Sequence, residues 1–332
     1  MSRRARRSRQ PEGSASPQSL PTDLRLTHYI KALQAAGPVC SRQPPHPYSC
    51  FDRSELRVLA AAWNARHPED PISFAGGLAS ASHKELFSAL QAKLSAYCTG
   101  ERCVLDATGM APVLGTRLKP SKSTRLGTCQ SELLAAMNNF MWHHPAAAAA
   151  YWFAGVFPVN FQERMDGVCV GDFLCTFSLE HLTRSGRSGV FFILNTDRFG
   201  KPGKHWVAVW CDIDPASPNF GLYYYDSNGV QDLRRHLPSS VRAFAAKAER
   251  QAAAMSLKGF AFRCNGVAHQ RTDGPCGLFC VAFLMSSLLG QPIADYVAHR
   301  AVKDELVRQL GLALFAAGQG TSDSAREHKA RA

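Results

Sequence analysis

The sequence predicts an α+β fold in which a mixed sheet carries a cysteine at the N-terminus of a buried helix, preceded by a small N-terminal helical module. Three observations carry that prediction. From Val156 onward, short β-branched and aromatic runs alternate with helical patterns, whereas Asp52 to Leu94 holds helical periodicity alone. Cys276 follows Gly274-Pro275 and opens an apolar run (Leu278, Phe279, Val281, Ala282, Phe283, Leu284) too continuous for a surface helix. There a thiol faces the helix N-terminus, whose partial positive charge favours the thiolate.

Composition sets the outer bounds. The chain has 332 residues with 45% hydrophobic content, enough for one or two folded domains. Lys+Arg 38 against Asp+Glu 26 gives a formal charge of +12, which draws the surface to polyanions, nucleic acid foremost. The eleven cysteines are odd in number and no apolar leader follows the arginine-rich start, so they read as reduced thiols of an intracellular protein that is not secreted. The run Ala146 to Ala150 is too short to cross a bilayer, so no membrane association is expected. Oligomeric state leaves no mark in the sequence.

Residues 1–22, rich in Arg, Ser and Pro, cannot bury enough apolar surface to order themselves. They read either as a solvated tail or as an arm offering Arg3, Arg4, Arg6, Arg7 and Arg9 to DNA or to nuclear import. Residues 52–105 form the helical module. Leu56, Leu59, Ala60 and Trp63 share one helix face, and Glu85, Leu86, Leu90 and Leu94 mark a second helix beyond Gly76-Gly77. With the extended segment at Pro71-Ile72 between them, this resembles the helix-extended-helix modules of the SAP or Rho-N kind, or a plain structural adaptor. Cys98 and Cys103 follow; lacking two further ligands at sensible spacing, they read as packed thiols and no metal site is expected. Residues 106–129 read as a linker.

Residues 130–315 read as the main domain. A helix is expected over Gln130 to Trp142, limited by Pro145, and the alanine run with Tyr151-Trp152 reads as another short helical piece. Strands are expected at Val156–Phe161, Gly189–Asn195, His205–Asp212 and Gly221–Asp226. The last two, joined by a loop with two prolines, form an antiparallel pair. Helices return at Ser240–Met255, Gly277–Leu289 and Ala294–Phe315, and residues 316–332 read as a disordered tail.

Thiol-based acyl chemistry needs a cysteine, an imidazole to take its proton, a group that fixes the imidazole, and donors aimed at the oxyanion. His205 begins one strand of the pair and Asp226 ends the other, so antiparallel pairing brings them side by side. Gln270, six residues before Cys276, supplies an amide donor, with the Cys276 backbone N–H as the second. Trp206 shields the imidazole pair from water or simply packs against the domain. Each alone has a bland reading: a structural histidine, turn chemistry at Asp226-Ser227-Asn228-Gly229, a core thiol, a surface glutamine. The order His205, Asp226, Gln270, Cys276 makes them a set.

Three stretches, Gly203-Lys204-His205-Trp206-Val207-Ala208, Tyr224-Tyr225-Asp226-Ser227 and Gln270 through Cys276-Gly277-Leu278-Phe279-Cys280, resemble the superfamily of ubiquitin-like-protein (SUMO) proteases and the adenovirus protease adenain. The likeness is greatest to the Ulp-type proteases of large DNA viruses, which share the look of Phe153 to Phe161 and of Asn195-Thr196-Asp197. It covers about residues 52–290 and is strong from 150 onward. Pro275 departs from the acidic residue common just before Cys-Gly in that family. The resemblance implies a cysteine endopeptidase with Cys276 as nucleophile, His205 as base, Asp226 as its orienting partner, Gln270 as oxyanion donor and Trp206 at the substrate. It implies polypeptide substrates, structural precursors cut during virion maturation, and a location in host cytoplasm or nucleus or in the virion. No cofactor is required, with DNA or a peptide as an activator. Three alternatives stand beside it: removal of ubiquitin or SUMO-like modifiers from host proteins, acetyl transfer by the same triad, and a non-enzymatic DNA-binding virion protein.

Overall fold

The computed structural model describes residues 22–95, 100–121, 128–231, 237–298 and 302–316, with side chains from residue 25. The arginine arm, Cys98 and residues 317–332 lie outside the described residues.

Helix α1 (Thr22–Ala35) was not anticipated; it buries Leu26, Ile30 and Leu33 in the core of the main domain, far along the chain. The helical module follows: α2 (Arg53–Arg66), α3 (His83–Leu94), α4 (Glu101–Thr108) and α5 (Ala111–Leu114). Both leading helices start at capping boxes, Asp52 with Glu55 and Ser82 with Glu85, which satisfy otherwise orphaned N–H groups. Leu56, Leu59, Ala60 and Trp63 of α2 meet Leu86, Leu90 and Leu94 of α3, as the spacing predicts. The Asn64 side chain bonds Ile72 both ways, at 2.9 and 2.7 Å, and so pins the extended link.

Residues 106–121 differ from the expected linker. They hold the end of α4, α5 and a 3-10 turn, and they give Leu114 and Leu118 to the module's core. Their glycines and prolines cap and start short helices here; Gly109, at φ 68°, closes α4.

In the main domain, α6 (Gln130–His143) and α7 (Pro145–Ala150) lead into β1 (Tyr151–Pro158). Strand thus begins at Tyr151, where a helical piece was expected, and ends before Phe161. Tyr151 and Trp152 pair with Gly189 and Val190, and sheet pairing prevails over the alanine-rich pattern before them. A small hairpin, β2 (Arg164–Met165) and β3 (Val168–Cys169), and α8 (Leu179–Arg184) precede β4 (Gly189–Asn195). Strands β5 (Trp206–Asp212) and β6 (Gly221–Tyr225) follow, then α9 (Ser239–Ala254) and β7 (Phe262–Cys264). The chain continues with α10 (Cys276–Leu288), α11 (Ile293–Ala298) and α12 (Asp304–Leu314), two helices where one was expected.

The main sheet runs β1-β4-β5-β6-β7 and is mixed: β1–β4 and β6–β7 are parallel, β4–β5 and β5–β6 antiparallel. Alternate residues part cleanly. Phe191, Ile193, Ala208, Trp210, Tyr223 and Tyr225 face α10, while Val190, Phe192, Val207, Val209, Leu222 and Tyr224 face α9. Covering both faces explains why β4 to β6 read as unbroken apolar runs.

The expectation of reduced cysteines is overturned. Cys40 is bonded to Cys50 and Cys169 to Cys175, and Cys103 is disulfide-bonded as well. Tight local turns bring each of the first two pairs to Cα separations of 5.3 and 6.1 Å, within bonding reach. Cys129, Cys211, Cys264, Cys276 and Cys280 take no part in disulfides. Among the described residues no helix is long and apolar enough to cross a membrane.

Candidate active site

The site sits where β5 begins, β6 ends and α10 starts. Ala208 pairs with Tyr225 in the antiparallel ladder, so the residues just beyond each end, His205 and Asp226, fall beside one another. His205 Nε2 and Asp226 Oδ1 lie 2.7 Å apart. Gly203 makes the approach to β5 feasible: its φ of 85° is a left-handed value, and a Cβ there would meet the Asn195 amide at 2.3 Å.

With Nε2 committed to Asp226, the other ring nitrogen of His205 is left to serve Cys276, which lines the same groove and interacts electrostatically with the ring. Cys276 is the first residue of α10, and Phe279 makes the first backbone bond back to Pro275. The N–H groups of Cys276, Gly277 and Leu278 therefore have no partner within the helix. Pro275 occupies the N-cap, a place that needs no N–H of its own.

Burial raises the thiol's pKa, but the His205 side chain and the backbone N–H groups of Trp206 and Gly277 outweigh it, and Cys276 is held below the ordinary thiol range. For His205 burial acts downward, yet hydrogen bonds to Asp226 and Cys276 prevail and hold the ring above the ordinary imidazole range. Both directions favour a thiolate–imidazolium pair. Cys280, one turn further along α10, is fully buried and pushed well up by that burial, so the two cysteines of this motif differ in character.

Gln270 is held by its own network. Its Oε1 accepts from Ser227 Oγ at 2.7 Å, its Nε2 donates to the Thr272 carbonyl at 2.6 Å, and its backbone N–H reaches the Ser227 carbonyl. A side-chain amide has two N–H donors, so one remains after the bond to Thr272. Gln270, Cys276, His205 and Trp206 all line one groove of about 970 Å³. The Trp206 indole donates to the Thr128 carbonyl at 3.0 Å, which fixes the ring as a wall of that groove.

The structure also recruits residues that sequence reasoning passed over. Asn265, buried to 1% exposure, accepts from the Asp226 N–H at 2.9 Å and donates to the Asp226 carbonyl at 2.6 Å. Asn228 donates its backbone N–H to Asp226 Oδ1 at 2.8 Å and places its amide 3.5 Å from His205 Nε2. The Asn228 signal lay inside the Asp-Ser-Asn-Gly turn. Asn265 arrives through the parallel β6–β7 pairing, which has no local signature.

The α+β scaffold thus brings Cys276, His205 and Asp226 together at the end of an antiparallel strand pair, with Cys276 opening a buried helix. No protein-family model matches the chain. It is 28% identical over 181 residues to the "Putative thiol protease" of Acanthamoeba polyphaga mimivirus, a match covering 54% of this chain and 53% of that protein. The chain thus spans about half the length of the curated relative it matches. Among solved structures, the protease of African swine fever virus (ASFV) aligns over 71% of this chain and 89% of that one, with a TM-score of 0.46 and 17% identity. The similarity to viral thiol proteases read from the motifs is therefore shared by a curated viral relative.

Proposed function

We propose that the chain is a cysteine endopeptidase. The observation that carries this reading is the His205–Asp226 hydrogen bond in one groove with Cys276 at the helix start, the thiol held below and the imidazole above their ordinary ranges. The Cys276 thiolate attacks the scissile carbonyl carbon, and the oxyanion that forms is met by the Cys276 backbone N–H and the remaining amide N–H of Gln270. His205 then donates its proton to the departing amine, and an acyl-thioester remains on Cys276. Water, deprotonated by His205, hydrolyses that thioester and regenerates the thiolate. Asp226 keeps the ring oriented and balances its charge throughout. Trp206 and the groove wall hold an extended peptide, with room for small side chains beside the thiol.

The substrates in this reading are structural precursor proteins, cut during maturation of a viral particle within the host cell or the particle itself. No resident cofactor is needed for these steps, and the net charge of +12 suits work beside packaged DNA, with the arginine arm as its contact. The decisive experiment incubates wild type and Cys276→Ala with the source's own major structural precursors and reads products by mass spectrometry. New termini with wild type alone support the assignment; products that persist with the alanine variant sink it. A ubiquitin-like C-terminal reporter run beside a peptide library containing Gly-x bonds separates precursor processing from modifier removal. Catalytic efficiency unchanged both by added DNA and by loss of residues 1–22 would remove DNA as an activator.

A further inference from the structure

The helical module holds a cluster that plays no part in the groove. Cys40, Cys50 and Glu101 place two sulfurs and a carboxylate oxygen within 4.8 Å of one another. Both cysteines are buried, at 9% and 2% exposure, and Glu101 is the first residue of α4. A neutral disulfide gains little from a half-buried carboxylate beside it, whereas a divalent cation between the same three groups gains a great deal. The carboxylate is also held in place: Ser49 Oγ and the Cys50 N–H donate to Oε1 at 2.7 and 2.8 Å. Both bonds end on that one oxygen, and a carboxylate carries a second with its own lone pairs. Outer hydrogen bonds of this kind orient metal ligands.

We propose that Cys40, Cys50 and Glu101 form a zinc-class cation site when the Cys40–Cys50 disulfide is reduced, so that the same residues staple the module by a covalent bond or by a metal. The disulfide takes two electrons and yields two thiols: a thiol reductant supplies both protons and leaves as a disulfide, whereas a phosphine leaves as its oxide, with water supplying the oxygen and the two protons. Each thiol loses its proton as its sulfur binds the cation, whose oxidation state does not change. A tetrahedral zinc ion with about 2.3 Å bonds to sulfur and 2.0–2.2 Å to oxygen sets its ligand atoms roughly 3.6–3.8 Å apart. The three groups already lie close enough to reach that spacing once the S–S bond opens. Two thiolates and one carboxylate leave a fourth position for water. In the oxidised state the hydrogen bonds of Ser49 and Cys50 to Glu101 tie the segment before α2 to the start of α4, and in the reduced state the cation does so directly, beside the core that Cys40, Cys50 and Leu105 share.

The test uses the full chain carrying Cys276→Ala, which removes the groove thiol as a competing ligand. The protein is reduced with a phosphine, freed of metal under argon, and titrated with Co²⁺ and then Zn²⁺. Binding of one ion per chain is expected, with thiolate-to-cobalt absorption that Zn²⁺ displaces and that the oxidised protein lacks. Cys40→Ser and Cys50→Ser each should abolish that absorption, and Glu101→Gln should weaken binding about 10–100-fold while keeping it. Absence of binding by the reduced, folded chain overturns the proposal, as does full binding by the Cys40→Ser/Cys50→Ser variant. Should the serine variants fail to fold, X-ray absorption on the zinc-loaded parent decides. Two sulfurs and two oxygens around the zinc support the site; four sulfurs, or none, overturn it.

Discussion

At the scale of the residue, the proposed function rests on how two protonation equilibria lean on each other. Because the Cys276 pKa lies below and the His205 pKa above their ordinary values, the thiolate–imidazolium pair is the form present between the two. Below the thiol's lowered pKa the nucleophile is protonated, and above the raised imidazole pKa the acid for the leaving amine is gone. The pH profile of kcat/KM should therefore be bell-shaped, with an acid limb below the range of a free thiol. Iodoacetamide inactivation of Cys276 should share that acid limb, and His205→Ala should move it up toward ordinary thiol values; identical limbs in the two proteins would refute the pairing. Asp226→Asn should leave the fold intact but cut turnover on the order of 10⁴-fold, since the ring loses the group that fixes its tautomer. Cys276→Ala should reduce turnover about a million-fold, which peptide-reporter assays can bound.

At the scale of the element, the placement of these residues follows from strand pairing and helix entry. His205 and Asp226 could be read together in the sequence because two apolar runs joined by a proline-bearing loop demand an antiparallel pair, and the ends of such a pair adjoin. Cys276 could be read because Gly274-Pro275 before an apolar run marks a helix start. Asn265 could not be, because it reaches Asp226 through a strand brought back by α9, and a parallel return leaves nothing in the local pattern to reveal it. Tyr151 misled for a related reason: the alanines before it carry helix propensity, while the partner that makes it strand lies at Gly189. Helix entry also depends on Gly277. A Cβ at that position would lie 2.0 Å from Thr128 Oγ1 and 3.2 Å from the Trp206 ring. Gly277→Ala should push out the groove wall formed by Thr128 and Trp206. It should cost roughly 1–3 kcal/mol of stability by overpacking, together with a rise in KM, measured by denaturant titration and steady-state kinetics.

At the scale of the whole molecule, the module and the main domain meet through a polar seam. The ammonium of Lys119, at 4% exposure, donates to the carbonyls of Leu33 and Gly37 at the end of α1, at 2.9 and 2.7 Å. Asn139 of α6 donates to the carbonyls of Thr116 and Leu118. None of these partners could be paired from sequence, since a lysine in a run rich in Ser, Lys and Pro reads as solvated. Replacing Lys119 with Met strands two carbonyls and should lower stability by about 1–3 kcal/mol in thermal or urea unfolding. An unchanged midpoint would show that water replaces the ammonium at no cost.

The burial of α10 has one more consequence. From Cys276 to Ser287 every residue of that helix is shielded, so the segment that carries Cys276 has no partial way to loosen. Its amides should exchange with deuterium only when the entire main domain opens, and Cys280 should stay inert to thiol reagents until then. Heat should thus silence the protein in one step. Loss of turnover, exposure of Cys280 and loss of near-ultraviolet ellipticity should share a single midpoint, and a molecule that lost its activity well before its Cys280 became reactive would not be built this way.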